Sequence, residues 1–293
     1  MRIRTQGASP GSANPATDLT VKRVDLRDRS LLTVFAHPDD ESLACGGLLA
    51  WCAHLGARVS VCCATGGELG LTTSDGSTLP STGAVVRRLR RRELHNAARV
   101  LGVTHVEVLD HEDGMLPWTD ADRLDADIRN TIVRLRPDVV VTFGDDGLYG
   151  HPDHIAIHER TTAAVAALGA DGPALYYVTM PRGGMRAVVT HVAAALAGRG
   201  AHGTAPQRIL GIADADAFGA VAAPPTLVID VGRFAAAKLA AIKCHRTQLD
   251  GDALSRVTSR DAARLLGTEQ FHRAAAGSTR DAFIESFAAR RPF

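Results

Sequence analysis

The sequence has no surplus of either charge: 33 Lys and Arg stand against 32 Asp and Glu in 293 residues. A broad basic field for nucleic acid or an anionic membrane is therefore excluded, as is an acidic tail, and any polyanion would have to be held locally. No apolar run approaches the roughly 20 residues that span a bilayer. The polar opening MRIRTQGASPGSANPATD lacks the apolar stretch of a secretory signal, so a cytoplasmic protein without a membrane span is expected. The five cysteines, Cys45, Cys52, Cys62, Cys63 and Cys244, are odd in number and form no C-x-x-C pair, which argues against a zinc ribbon or a disulfide framework. They read as small core side chains. What is present is an ordinary globular composition, 45% hydrophobic and 22% charged. A chain of this length buries about three quarters of its unfolded surface and needs no staples to hold one core.

Residues 1–28 mix Gly, Ser, Pro and Thr without periodicity and are expected to form a flexible arm, with a single domain over 29–293. Short apolar runs then alternate with helical patterns. Strands are expected over 31–36, 58–64, 106–109, 139–143 and 175–180, with helices over 42–55, 85–101, 120–135 and 154–168 and a Gly-rich loop over 65–83. The first four strands read as apolar on both faces, the mark of a parallel sheet covered by helices. The expected fold is α/β and Rossmann-like: a mostly parallel sheet, helices on both faces, and a metal site at the carboxyl ends of the strands. Residues 183–225 are less regular and are expected to be an insertion or lid. A strand over 226–230, a helix over 234–247 and a last amphipathic helix over 259–274 complete the pattern.

Two segments carry chemistry. His37-Pro38-Asp39-Asp40-Glu41 follows the first strand, where a dinucleotide-binding fold would place G-x-G-x-x-G. Its acids repel a phosphate and suit a divalent cation. An acidic helix start matched to the dipole accounts for Asp40 and Glu41 but not for His37 and Pro38. Tyr149-Gly150-His151-Pro152-Asp153-His154 follows the fourth strand. In a sheet of order 3-2-1-4-5 these two loops face each other across the switch point. A metal held by His37, Asp40 and His154 would have three protein ligands and an open position, the pattern of a catalytic zinc site; Fe2+, Mn2+ or Co2+ also suit that donor set. His158 lies one turn beyond His154 and could mimic an i, i+4 pair, but reads as an ordinary helix residue.

These segments, AHPDDE and GHPDH, resemble the PIG-L/LmbE-like zinc-dependent de-N-acetylases. That family acts on N-acetylglucosaminyl-phosphatidylinositol and on the glucosaminyl precursors of mycothiol and bacillithiol. The resemblance covers most of 31–273. It extends to Thr65-Gly66-Gly67-Glu68-Leu69-Gly70, to Arg90 with Glu93, to Asp113-Gly114, and to Lys238, His245 and Gln248, with Thr247 where Ser is commoner. It implies that His37, Asp40 and His154 bind zinc and that Asp39 is the general base. Adjacent Asp39 and Asp40 cannot both face one ion from the same side, which agrees with that division. It implies further that the metal and His151, protonated and oriented by Asp153, stabilise the oxyanion, that Tyr149 adds a donor or moves on substrate binding, and that Asp39 or His151 returns a proton to the amine. Arg90 and Asp113, with Glu68, would contact substrate, and Glu41 would order the loop or support His37. The expected function is hydrolysis of the N-acetyl group of a small N-acetylglucosaminyl compound. Alternatives are an amidase or esterase on another small substrate such as a mycothiol conjugate, or a non-catalytic sugar- or nucleotide-binding relative. A small amino sugar is the expected partner, nucleic acid is not, and a homo-oligomer is left open.

Overall fold

Long β-branched runs and amphipathic stretches of the sequence become, in a computed structural model that describes residues 25–70, 73–74, 77–78, 82–198 and 205–289, a layered α/β structure. Strands β1 (Ser30–Phe35), β2 (Arg58–Thr65), β3 (His105–His111), β4 (Val139–Phe143) and β5 (Ala174–Thr179) pair in parallel. Two more, β6 (Leu227–Asp230) and β7 (Thr268–Gly277), extend the sheet with antiparallel pairings, in the order β3-β2-β1-β4-β5-β7-β6. Chain direction across the sheet reverses between β1 and β4, so the loops after these two strands meet. β1 and β4 are buried along their whole length.

Helices α1 (Asp40–His54), α2 (Gly83–Leu101), α3 (Ala121–Leu135), α4 (Pro152–Ala166), α5 (Gly184–Ala197), α6 (Ala235–Ile242) and α7 (Ser259–Leu266) cover the sheet. α6 packs against α1, α2 and α7, whereas α3 packs against α4. Local chemistry sets their ends. Asp120 accepts from Asp122 N and Arg123 N to start α3, and Pro152 opens α4, where its missing N–H costs nothing. Among the described residues no helix is long and apolar enough to cross a membrane.

Three expectations are corrected. β3 is an edge strand, half-buried and carrying Glu107 and Asp110, because it has a neighbour on one side only. The helix expected over 234–247 ends at Ile242 and passes into the 3-10 turn Arg246–Gln248. The helix expected over 259–274 stops at Leu266, and Thr268–Gly277 is a strand. Gly267 leaves no room for a Cβ beside the Ala263 carbonyl, and the chain beyond it buries Glu269 and Phe271 alternately, a two-residue period hidden by the helix-forming Ala274, Ala275 and Ala276. Of the arm expected over 1–28, residues 1–24 lie outside the described residues. Leu26 is already buried, its N–H bonded to Leu55 O at 2.9 Å. In 183–225, residues 199–204 lie outside the description.

One distortion positions the site. At Cys45 (φ −147°, ψ 22°) α1 kinks and its hydrogen-bond ladder breaks. The freed N–H groups of Gly47 and Leu48 donate instead to Glu269 Oε1 and Oε2, both at 2.8 Å, and Lys238 Nζ balances that carboxylate at 2.7 Å. A remote side chain thus caps the second half of α1. A Cβ on Gly47 would stand 2.5 Å from Val231 Cγ2. Gly47→Ala should therefore cost about 1–3 kcal/mol by overpacking, measured by denaturant unfolding; unchanged stability would show that α1 is not pressed against Val231.

Candidate metal centre

The chain leaves β1 at Ala36, presents His37, and enters α1 at Asp40. Asp39 takes φ 126°, a region costly for a residue with a Cβ, by about 1–3 kcal/mol. Its N–H is held by Glu41 Oε2 at 3.0 Å and its Oδ2 by Arg90 Nη2 at 3.0 Å. Glu41, fully buried, also accepts from Ser42 Oγ and lies 3.0 Å from His245 Nε2. After β4 the chain turns through Gly147 (φ 56°), whose carbonyl lies 3.1 Å from His154 Nδ1. A side chain at Gly147 would press on His154 and Ile155. The two loops bring three ligand atoms together.

His37 Nδ1 lies 3.3 Å from His154 Nε2, Asp40 Oδ1 lies 3.3 Å from His154 Nε2, and Asp40 Oδ2 lies 3.5 Å from His37 Nδ1, all three residues being buried. The outer ring nitrogens are engaged elsewhere. His154 Nδ1–H donates to Gly147 O, and His37 Nε2–H donates to Asp113 Oδ1 (3.0 Å) and Asp153 Oδ2 (3.2 Å). This fixes the tautomers so that His37 Nδ1 and His154 Nε2 turn lone pairs inward, the usual support of a metal-binding imidazole. Two imidazoles and a carboxylate fit a divalent ion with a position left open. Electrostatics agree. Burial alone would push the Asp40 carboxyl up, yet His154 and His37 hold it well below the usual range. Burial would likewise lower His37, but Asp113, Asp153 and Asp40 hold it well above its ordinary value, so the corner favours positive charge.

His37, His151 and Asp153 form a second group close enough to hold an ion. Asp153 is already committed: it accepts from Gly114 N (2.8 Å), Leu116 N (3.2 Å) and His37, and its own N–H donates to His151 Nδ1 at 3.1 Å.

The other expected residues are placed as follows. The Asp153 carboxylate orients His37, not His151; to His151 it offers only its backbone N–H. Burial, together with His154 and His37, lowers His151 to about 4, so this residue is a neutral imidazole, with its proton on Nε2 because Nδ1 accepts. Arg90 gives Nη1 and Nη2 to Gly67 O, Pro38 O and Asp39, which positions Asp39, and it also lines the pocket with its Nε unpartnered among the described residues. Asp113 holds His37 and the Leu69 N–H. Glu68 accepts from Asp113 N and does not line the pocket. His158 binds Phe143 O through Nδ1 and lies outside the ligand cluster.

Asp39 remains beside the ligands, buried, and lifted to about 6 by burial despite Arg90. It lines a cavity of about 380 Å3 with His37, Asp40, Asp113, Tyr149 and His151. Tyr149 stands edge-on to His154 and His151, and burial raises its phenol. Another part of the wall comes from the segment expected as an insertion or lid, though its residues were not singled out: Arg208, Leu210, Gly211 and Ile212 are joined to the turn at Asp252 and Ala253, with Gln248 beside them. Only Gln248 had a signal in the sequence.

A model of the family described as GlcNAc-PI de-N-acetylase (PIG-L) matches residues 32–165. A 1D-myo-inositol 2-acetamido-2-deoxy-alpha-D-glucopyranoside deacetylase of Streptomyces avermitilis is 32% identical over 280 residues, covering 85% of this chain and 92% of that protein. The fold is shared with N,N'-diacetylchitobiose deacetylase from Pyrococcus horikoshii (TM-score 0.59, 20% identity, 84% of each chain). It is shared too with GalB, the 4-carboxy-2-hydroxymuconate hydratase from Pseudomonas putida (TM-score 0.57, 20% identity, 86% of this chain and 99% of that one). A hydratase on the same fold means that the fold does not select the reaction.

Titration of the protein with zinc should give one tight site. His154→Ala or Asp40→Ala should weaken it by about 100-fold or more, and His151→Ala by little, in dialysis followed by metal analysis. The reverse ranking would move the ion to the His151 and Asp153 group.

Proposed function

The chain belongs to the PIG-L family of de-N-acetylases, and on that premise we propose that it is a metal-dependent hydrolase that removes the acetyl group from the nitrogen of a small N-acetylglucosaminyl compound. The observation that carries the proposal is Asp39: a buried carboxylate lining the pocket beside the three-donor set, held by Arg90 and free of any ligand role. A non-catalytic sugar-binding site has no need of it. A divalent ion, with zinc the first candidate and Fe2+, Mn2+ and Co2+ compatible, would polarise the acetamide carbonyl and acidify the attacking water.

The chain's own groups do the rest. Asp39, raised to about 6, is deprotonated at neutral pH yet basic enough to take the water's proton, the tuning that general-base catalysis favours. His151 presents Nε2–H to the oxyanion of the tetrahedral intermediate as a neutral donor, a role for which one donor supplies about 3 kcal/mol. Burial keeps the Tyr149 phenol protonated as a second donor. A neutral imidazole lowered to about 4 is a poor proton source, so Asp39, protonated in the first step, returns the proton to the departing amine. The named activity of the Streptomyces avermitilis relative makes an inositol aglycone the first substrate to try.

Amine release should be measured on a panel led by N-acetylglucosaminyl-inositol, with metal-loaded and chelator-stripped protein. Asp39→Asn should keep its metal and lose about 10²–10⁴-fold in kcat; near-normal turnover would remove Asp39 as the base. Release from no member of the panel would move the reading to another amide or ester.

The acid limb of kcat/KM should fall as pH drops through about 6, or lower when a bound cation stabilises the carboxylate, because protonated Asp39 cannot act as base. Arg90→Gln removes a cation that lowers Asp39, so its limb should shift upward; a downward shift contradicts the Arg90–Asp39 pairing.

A further inference from the structure

A second cavity, of about 250 Å3, lies between the first half of α1, the end of β5, α5, α6, α7 and the start of β7. It shares Leu43, and no other residue, with the catalytic pocket. Its walls are apolar where Leu43, Met180, Met185, Leu265 and Leu266 line it. Its polar groups are under-used. Thr179 is 4% exposed, and among the described residues its Oγ1 has no hydrogen-bond partner. Lys238 is equally buried, and among the described residues its ammonium gives one hydrogen bond, to Glu269 Oε1, of the three that it can donate. Glu269 accepts from Gly47 N, Leu48 N and Lys238 and does not reach Thr179 Oγ1. Buried donors in a folded protein find acceptors, and the spare ones here call for an acceptor from outside the chain. Of the charged lining, Lys238 is paired with Glu269, and the exposed Arg264 lies 3.5 Å from Asp261 Oδ1 at the rim.

We propose that this cavity is a binding site for a small amphipathic carboxylate. The carboxylate takes up the spare donors of Lys238 and Thr179. The short hydrocarbon chain lies against the Leu and Met side chains. The site is independent of the catalytic chemistry, since none of its polar groups is among the metal-ligating or proton-transferring residues.

The test is calorimetric titration of the zinc-loaded full-length protein with linear carboxylates from acetate to octanoate. Because a carboxylate can also bind zinc, two variants separate the sites. Ala187→Trp places a bulky ring at an exposed position on the cavity's rim, and Thr179→Val removes the unpaired hydroxyl while keeping its shape. The expected result is saturable one-to-one binding that strengthens with chain length up to an optimum. It should be weakened at least tenfold by Ala187→Trp and severalfold by Thr179→Val, with metal content unchanged. No saturable binding to any member of the series overturns the proposal, leaving the donors to water. Equal binding by parent and Ala187→Trp overturns it too, by placing the carboxylate at the metal. Should Ala187→Trp fail to fold, Thr179→Val decides alone: undiminished affinity in that variant contradicts the assigned contacts.

Discussion

Four buried carboxylates, Asp39, Asp40, Asp113 and Asp153, crowd the carboxyl ends of β1 and β4, and much of the surrounding structure answers the cost of keeping them charged out of water. Three of them converge on the His37 ring, one at Nδ1 and two at Nε2. The fourth lies against Arg90. Backbone N–H groups of His37, Leu69, Gly114 and Leu116 take up the remaining oxygens. A cation between His37, Asp40 and His154 fits this balance. In our proposal Asp39, raised where Asp40 and Asp113 are lowered, is the group that exchanges a proton.

The same constraint reaches outward through α1. The strained Asp39 backbone is held by Glu41, Glu41 lies against His245 on the turn after α6, and the kink at Cys45 is capped by Glu269 with Lys238 beside it. The later matches to the family pattern, Lys238 and His245, thus have a physical reason: they stabilise acids that hold the catalytic helix in its bent form. Arg90 plays the same part from α2.

How much of this was legible depended on sequence distance. The strands β1, β2 and β4 and the two His-Pro-Asp segments are local patterns, and the switch-point rule alone brings their loops together. The partners of Asp153 were not legible, because His37 lies 116 residues away and Gly114 lies 39 away. Proximity in sequence pointed instead to His151. β7 was hidden because Thr268–Gly277 contains helix-forming alanines whose alternation matters only once β5 and β6 stand on either side. The wall at Arg208, Leu210, Gly211 and Ile212 has no periodicity, and tertiary contacts with the turn at Asp252 place it.

Anomalous diffraction from crystals of the zinc-loaded protein tests the central claim most directly. The account predicts one strong peak about 2.0–2.2 Å from His37 Nδ1, His154 Nε2 and an Asp40 oxygen, with Asp39 unligated on Arg90 and Asp153 still on His37 Nε2. A peak bound by His151 and Asp153, or by Asp39 as a ligand, would contradict it.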